Sequence, residues 1–147
     1  MFLREVVMKE FVFTGSRLLM GRLERGDDLL EQLTAFCHQH DIRAGAVWAI
    51  GAVERARLGY FDQAAGSYRT REWEQPLEIV SLSGNVSEKE GQPFAHLHAV
   101  LADEQGACHG GHLLEGCRVF ACEFVVMKLE GEIPRRTTDP ATGLALW

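Results

Sequence analysis

The sequence predicts an α+β fold, in which a mainly antiparallel β-sheet packs with one or two helices. Residues 27–40 have clear helical periodicity, whereas residues 44–131 divide into short apolar or alternating runs separated by glycine-containing turns. The connections between these runs are too short for crossover helices, which favours antiparallel pairing of the strands. The 147 residues are expected to form a single domain, with residues 1–8 and 130–147 as extensions.

The first element is predicted within residues 9–25, as one strand or as two strands joined by a turn at Gly15-Ser16. In the second part of this segment, Leu19 lies on one side of the chain and Arg22 on the other, which is typical of a strand. Arg22 is also a candidate for holding an anionic ligand, because a guanidinium group binds carboxylates through paired hydrogen bonds.

A helix is predicted over residues 27–40. Asp27 is expected to cap its free N–H groups, and Asp28 suits the positive end of the helix dipole. His38 and His40 fall at the C-terminal end, where solvated side chains are favoured over metal ligands. One apolar stripe at helical spacing is predicted to face the core, formed by Leu29, Leu30, Leu33, Phe36 and Cys37.

Five short strands are predicted after the helix, and glycines mark the turns between them. The polar residues 63–75 are predicted to form a connection, and residues 133–147 a turn-rich tail that lies along the surface or against a neighbour. The predicted strands are residues 44–53, 57–62, 76–87, 94–103 and 117–131. The predicted turns lie at Gly59, Gly66, Gly91, Gly110-Gly111 and Gly131, and the predicted anchors of the tail are Leu144, Leu146 and Trp147.

The composition disfavours several classes of function. The chain carries 15 Lys and Arg residues against 21 Asp and Glu residues, with a net charge of −6 and no basic run longer than Arg135-Arg136. Direct DNA binding by the domain alone is therefore not expected, because that affinity comes largely from basic side chains on phosphates. The N-terminus lacks the apolar stretch of a secretory signal, which predicts a cytoplasmic protein, and Met8 is an alternative start.

Three histidines form the strongest candidate site. His96 and His98 alternate with small or aliphatic residues, so they are expected on one face of a strand while Ala95 and Leu97 face the core. Two imidazoles at this spacing can reach one metal ion, and a glycine-rich return after residue 106 is expected to bring His112 beside them. A third ligand with an open fourth position is the arrangement of a catalytic zinc site.

Two other interpretations of the histidines stay open. They are three half-exposed residues on a solvated strand face, or a surface sensitive to pH. Cys108 is a further, less favoured ligand, since zinc sites with cysteine usually show paired close spacings and the four cysteines here show none.

Glu123 is the second candidate for chemistry. It stands alone on an otherwise apolar face of the last long strand, and burial of a carboxylate is costly unless it is paired or binds a metal. It is a candidate general acid or base, or a residue that orients a histidine ligand. An ion pair with Arg22 or Arg118 is the alternative.

These motifs together resemble the PPC domain, a domain conserved in plants and prokaryotes. The resemblance rests on residues 77–87, on Gly91-x-Pro93-x-x-His96-Leu-His98, on Gly110-Gly-His-Leu113 and on Gly116-x-x-Val119 followed by Glu123. Segments 22–29 and 139–143 extend it over nearly the whole chain.

The resemblance implies an antiparallel sheet packed with helix, a homotrimer, and zinc at His96, His98 and His112. The fold is also similar to acetolactate decarboxylase, which uses three zinc-bound histidines. An enzyme of this kind would be a zinc-dependent lyase, decarboxylase-like, or a hydrolase, with Glu123 or Arg22 in catalysis. Family members are often described as DNA-binding, but in plants an AT-hook makes that contact, and this chain has none.

Three functions therefore remain open from the sequence. The first is a metal-dependent enzyme or small-molecule binder. The second is a DNA-binding or DNA-associated regulator, whose affinity would fall steeply with salt. The third is a structural oligomeric interaction module, in which protein groups ligate the metal fully and chelation dissociates the oligomer.

Overall fold

The computed structural model describes residues 9–147, in which nine strands and one helix form the predicted α+β fold. The expected extension over residues 1–8, with the alternative start at Met8, lies outside the described residues. The single helix described is 11 residues long, well short of the length that crosses a membrane. The elements are β1 (Phe13–Leu23), α1 (Leu29–Gln39), β2 (Gly45–Asp62), β3 (Ser67–Trp73), β4 (Leu77–Lys89), β5 (Gln92–Ala102), β6 (Cys108–Leu113), β7 (Arg118–Gly131), β8 (Arg135–Thr138) and β9 (Ala145–Leu146).

The sheet is antiparallel throughout the long strands. Its main path runs β1-β7-β2-β6-β5-β4-β8-β9, with β3 paired to β2 and a further pairing of β2 with β4. The short contact between β4 and β8 is the parallel pairing among the described strands. Two-residue and slightly longer turns join neighbouring strands, as antiparallel pairing requires.

The long strand β2 corrects two of the sequence predictions. Two strands were expected here, over residues 44–53 and 57–62, but one strand of 18 residues spans them. Gly59 lies inside this strand, opposite Thr70 of β3 and His112 of β6, and makes no turn. The expected polar connection contains β3, whose exposed residues carry no apolar alternation that could reveal a strand.

The first strand and the helix cap also differ from expectation. Gly15 makes no turn, because β1 is continuous and only its register with β7 shifts near that residue. Asp28, and not Asp27, caps α1, since its carboxylate accepts hydrogen bonds from the N–H groups of Leu30 and Glu31, each at 3.1 Å. The Asp27 carboxylate instead accepts from the Glu24 N–H.

The core lies between α1 and one face of the sheet. The helix buries Leu29, Leu33 and Cys37 completely, and the inward face of β5 meets them with side chains that are 7% exposed or less. These β5 side chains are Ala95, Leu97, Ala99 and Leu101, the residues that alternation assigned to the core. The face of β5 that carries His96 and His98 therefore points away from the helix.

Several large apolar side chains remain exposed on the face of the sheet opposite the helix. Met20 of β1, Val125 of β7 and Trp48 of β2 follow one another across three adjacent strands. Met20 is 81% exposed and Trp48 is 45% exposed. Together with Leu18, Ile50 and Val80 these residues form what we call the outer apolar face. A monomer seldom leaves such a surface in water.

Candidate metal centre

Strand pairing brings the three histidines together. His98 of β5 lies directly opposite His112 of β6, and His96 is two residues away on the same face of β5. Strand β6 lies between β5 and β2, so His112 is also opposite Gly59. The imidazole rings lie 5.0–5.3 Å apart between centroids in all three pairs.

Glycines position this arrangement, although not as the predicted turn. Gly110 and Gly111 lie within β6, and the turn before them is made by residues 103–106, where the Asp103 carboxylate accepts two backbone N–H groups. A Cβ on Gly111 would lie 2.7 Å from the Gly59 carbonyl oxygen, and one on Gly84 would lie 1.9 Å from the His96 carbonyl oxygen. Both positions thus require glycine so that neighbouring strands can approach.

The spacing of the imidazole nitrogens suits a tetrahedral metal ion. The Nε2 atoms of His96 and His98 are 3.3 Å apart, and one potential ligand atom from each histidine lies within 4.8 Å of the others. Two nitrogens at about 2.0–2.1 Å from zinc with a tetrahedral angle are separated by about 3.3–3.4 Å. The pair is therefore spaced as two ligands of one ion.

The electrostatic environment favours the neutral form of His96 and His112, which metal ligation requires. Burial first, and then the nearby His112, Arg136 and His98, together lower the pKa of His96 to about 4. Burial is also the main cause that lowers the pKa of His112. Neutral imidazoles present lone pairs to a cation near pH 7.

His112 provides an independent indication that something is bound. Its Nδ1 atom is buried and has no hydrogen-bond partner among the described residues. An unpartnered buried polar atom is costly, and native proteins seldom leave one without a water, an ion or a ligand. Two observations therefore indicate that these residues fit a metal: the set of three imidazole donors, and the unpartnered Nδ1 atom of His112.

Similarity to known proteins identifies the family of the chain. The Plants and Prokaryotes Conserved (PCC) domain matches residues 11–130. The chain belongs to this family. The resemblance to the PPC domain read from the sequence is thereby confirmed.

Solved structures share the architecture of this PCC domain. A metal-containing protein from Archaeoglobus fulgidus is 46% identical, with a TM-score of 0.90 over 95% of this chain and 99% of that one. A plant- and prokaryote-conserved (PPC) protein from Pyrococcus horikoshii is 34% identical, with a TM-score of 0.86 over 97% and 96% of the two chains. A candidate DNA-binding protein from Bacteroides thetaiotaomicron is 27% identical, with a TM-score of 0.80 over 93% and 94%.

The chain is also similar to a more distant protein and to part of two larger proteins. Acetolactate decarboxylase from Bacillus subtilis subspecies spizizenii shares the fold, with a TM-score of 0.51 at 12% identity over 86% of this chain and 56% of that one. Bifunctional protein GlmU from Synechococcus sp. (strain JA-3-3Ab) is 37% identical over 88% of this chain. The PCC domain spans about a fifth of the length of the GlmU relatives it matches, 20% in this case.

Arg136 lies beside the histidines of this PCC domain and was not predicted from the sequence. Arg136 of β8 is 8% exposed, and its Nη2 atom lies 3.5 Å from Nδ1 of His96. It donates hydrogen bonds to the side chains of Ser87 and Asn85 on β4 and to the Ala145 carbonyl oxygen. The sequence offered only the pair Arg135-Arg136 as a signal, because the partners of Arg136 on β4 are about 50 residues away along the chain.

The structure does not bring Glu123 and Arg22 to the histidines. Glu123 of β7 is exposed on the same side of the sheet as the outer apolar face, between Arg22 of β1 and Ile50 of β2. The Arg22 guanidinium forms its ion pair with Glu24 at 2.7 Å, and Arg118 forms one with Glu54. The expectation of a buried Glu123 carboxylate was wrong, and its catalytic role stays a prediction.

The remaining histidines and Cys108 lie outside the histidine cluster. In residues 9–147 the group of potential metal ligands contains His96, His98 and His112 alone. Cys108 is exposed at the start of β6. His109 stacks on Trp73 with ring centroids 5.0 Å apart and lies 3.7 Å from the Asp103 carboxylate.

Proposed function

We propose that this PCC domain binds zinc through His96, His98 and His112 and leaves a fourth position for a small molecule. The convergence of three imidazoles, two with nitrogens 3.3 Å apart, carries the proposal. The metal-containing relative from Archaeoglobus fulgidus, at 46% identity, supports it. The donor set supports zinc in particular, because three histidines with a free fourth position are a common zinc arrangement.

A cavity beside the histidines supports the open position. It has a volume of about 200 Å³, and both His96 and His112 line it. Zinc bound there would supply Lewis acidity toward a carbonyl or carboxylate group of the bound molecule. Turnover would need a proton donor or acceptor, the role predicted for Glu123, whereas Arg22 was predicted to hold an anionic ligand.

The test is the metal content of protein purified without added metal and then exposed to zinc. We expect about one zinc per chain in the parent and its loss in the variant with His96, His98 and His112 all changed to alanine. His109→Ala is the matched control, since His109 lies on the same strand as His112 but outside the cluster. Equal zinc in the parent and the triple variant would overturn the proposal.

We further propose that the chain assembles as a homotrimer through the outer apolar face. Met20 of β1 is 81% exposed, and Trp48 and Ile50 of β2 are 45% and 59% exposed. Strands β1 and β2 lie on either side of β7, so these side chains form one surface that a second copy would cover. The resemblance to the PPC domain supports three copies. Trp48→Glu should lower the mass in light scattering from three times 16.4 kDa to that of one chain.

The matched control for the trimer is Tyr60→Ser. Tyr60 is 67% exposed but lies near Arg71 and Trp73, in a groove apart from the outer apolar face. This variant should keep the parent's mass. If the parent protein is monomeric at all concentrations, the homotrimer proposal is contradicted and the zinc proposal is unaffected.

DNA association is the competing function, and the relative from Bacteroides thetaiotaomicron described as a candidate DNA-binding protein favours it. The net charge of −6 argues against it. Binding to labelled duplex DNA at low and moderate salt distinguishes the two. A DNA-binding domain should show affinity that falls steeply with salt, whereas we expect no binding at low salt.

A further inference from the structure

Arg136 is a buried cation with no anionic partner among the residues that the structure describes. No Asp, Glu or C-terminal oxygen lies within 4.0 Å of its guanidinium among residues 9–147. Its neighbour Arg135 pairs instead with Glu88, which also pairs with Arg43. Because a buried charge is costly without a counter-charge, the missing anion requires an explanation.

The guanidinium of Arg136 is held rigidly in place. Its plane lies between two aromatic rings, with Cζ 4.4 Å from the centroid of Trp147 and 5.3 Å from that of Phe94. Hydrogen bonds fix three of its N–H groups on Ser87, Asn85 and the Ala145 carbonyl oxygen. A guanidinium positioned in this way loses little entropy when it binds a further group.

Two N–H groups of Arg136 are available to a ligand. One Nη1 hydrogen has no acceptor among the described contacts, and one Nη2 hydrogen faces Nδ1 of His96 at a long 3.5 Å. When Nε2 of neutral His96 holds a metal, Nδ1 carries the proton and no longer accepts from Arg136. One N–H on each terminal nitrogen then matches the two oxygens of a carboxylate.

The cavity that Arg136 lines has the composition expected for an organic anion. Its charged or ionisable lining residues are Lys89, Arg136, His96, His112 and Tyr68, with no carboxylate among them. The apolar part of the wall comes from Phe94, Leu144 and Leu146. At about 200 Å³ it has room for roughly six waters at about 30 Å³ each, which suits a molecule of a few non-hydrogen atoms.

We propose that Arg136 binds the carboxylate of a small organic acid at the metal centre, and that the tail after β7 completes this ligand site. The proposal rests on the proposed function, because the metal shares the anion with Arg136. Arg136 and the tail lie outside residues 11–130, which the PCC domain matches. A divalent metal ion would lie beside the guanidinium in a cavity that no carboxylate lines. The resulting positive charge would be neutralised by an anionic ligand.

The experiment uses protein loaded with cobalt(II) in place of zinc and follows the visible absorption of the metal. Titration with propanoate should change the spectrum and saturate, because the anion enters the coordination sphere. Arg136→Gln should weaken propanoate binding about tenfold or more, as expected for loss of a charge-assisted pair. Arg136→Lys should recover part of the affinity.

Arg135→Gln is the matched control. Arg135 is adjacent on β8, but its side chain is 65% exposed and pairs with Glu88, so its loss should leave propanoate binding unchanged. Propanoate affinity in Arg136→Gln equal to that of the parent would overturn the role of Arg136. If the Arg136 variants do not fold, Trp147→Ala takes their place, because it removes the ring 4.4 Å from Cζ of Arg136 and should also weaken propanoate binding.

The remaining outcomes separate the two proposals. A parent that takes up no cobalt or zinc contradicts the proposed function itself. A parent that loads metal but shows no response to propanoate contradicts the ligand proposal alone. Binding of inorganic phosphate in preference to propanoate, with the same dependence on Arg136, would overturn the assignment to a carboxylate.

Discussion

His96 illustrates at the residue scale how burial suits an imidazole to the proposed metal binding. Its ring is neutral because desolvation and the nearby Arg136, His98 and His112 disfavour the imidazolium form. The burial that suits metal binding also lowers the free energy of unfolding in acid. This decrease should be measurable in the metal-free protein.

We expect metal-free protein to lose stability as the pH falls from about 6.5 toward about 4. The pKa of His96 is lowered from 6.5 to about 4, so the unfolded chain takes up a proton over this range and the folded chain does not. Urea unfolding at a series of pH values should show a shallower decline in His96→Gln than in the parent. His38→Gln, at an exposed helical position, should decline like the parent. Parallel curves for all three proteins would contradict this account.

The sequence predicted the histidines better than their surroundings. Alternation along β5 placed His96 and His98 on one face, because strand periodicity is a local property. Arg136 could not be found this way, since its contacts with Ser87 and Asn85 depend on where the tail packs. The prediction of a buried Glu123 was wrong for a related reason. Alternation shows which residues share a face of a strand, but not whether other parts of the protein cover that face.

At the scale of elements, close contact between β4 and β5 fixes the site. Gly84 lies opposite Leu97, and a Cβ there would approach the backbone of His96 to 1.9 Å from the carbonyl oxygen and 2.9 Å from the carbonyl carbon. All three of the nearest atoms are β5 backbone, so there is no flexible side chain to move aside. The residue at position 84 thus controls the position of His96, a proposed metal ligand, from the neighbouring strand.

Gly84→Ala should weaken zinc binding by an order of magnitude or more and lower the melting temperature of the metal-free protein. The physical reason is that β4 and β5 must separate, which moves His96 relative to His98 and His112. Gly110→Ala on β6 is the control, because a Cβ there would lie at an ordinary 3.5 Å from the Ala99 carbonyl oxygen. Competition with a chromophoric chelator measures the affinity. Equal zinc affinity in the two variants would show that this contact does not position the site.

The elements themselves were only partly predictable. The helix and most strands follow from periodicity, but β2 was divided in two at residues 54–56, where the charged Glu54 and Arg55 interrupt the apolar run. In the fold Gly59 has strands on both sides, opposite Thr70 and His112, and a Cβ on it would lie 3.0 Å from the Tyr68 ring and 3.3 Å from Cδ1 of Leu114. Strand β3 was missed because its pairing with β2 needs no apolar alternation.

At the scale of the whole molecule, the sheet holds the histidines without help from a metal. Strands β5 and β6 are hydrogen-bonded to each other from His98–His112 to Ala102–Cys108, and β4 pairs with β5 along its length. The core between α1 and the sheet is remote from the histidine face. Metal binding should therefore add to stability without being required for folding.

Removal of zinc with a chelator should lower the melting temperature by a few degrees and leave far-ultraviolet circular dichroism and the assembled mass unchanged. The shift follows from mass action, since a ligand stabilises the folded state in proportion to its occupancy. The histidine triple alanine variant should not respond to the chelator. Dissociation or unfolding of the parent on chelation would favour a structural metal that is fully ligated by protein.

X-ray absorption at the zinc edge tests the central claim most directly. For zinc-loaded protein we predict three imidazole nitrogens at about 2.0–2.1 Å and one further light atom, with no sulfur. Addition of propanoate should alter the light-atom shell while the imidazole scattering stays. A sulfur neighbour near 2.3 Å, or fewer than three imidazoles, would contradict the assignment of His96, His98 and His112 as the ligands.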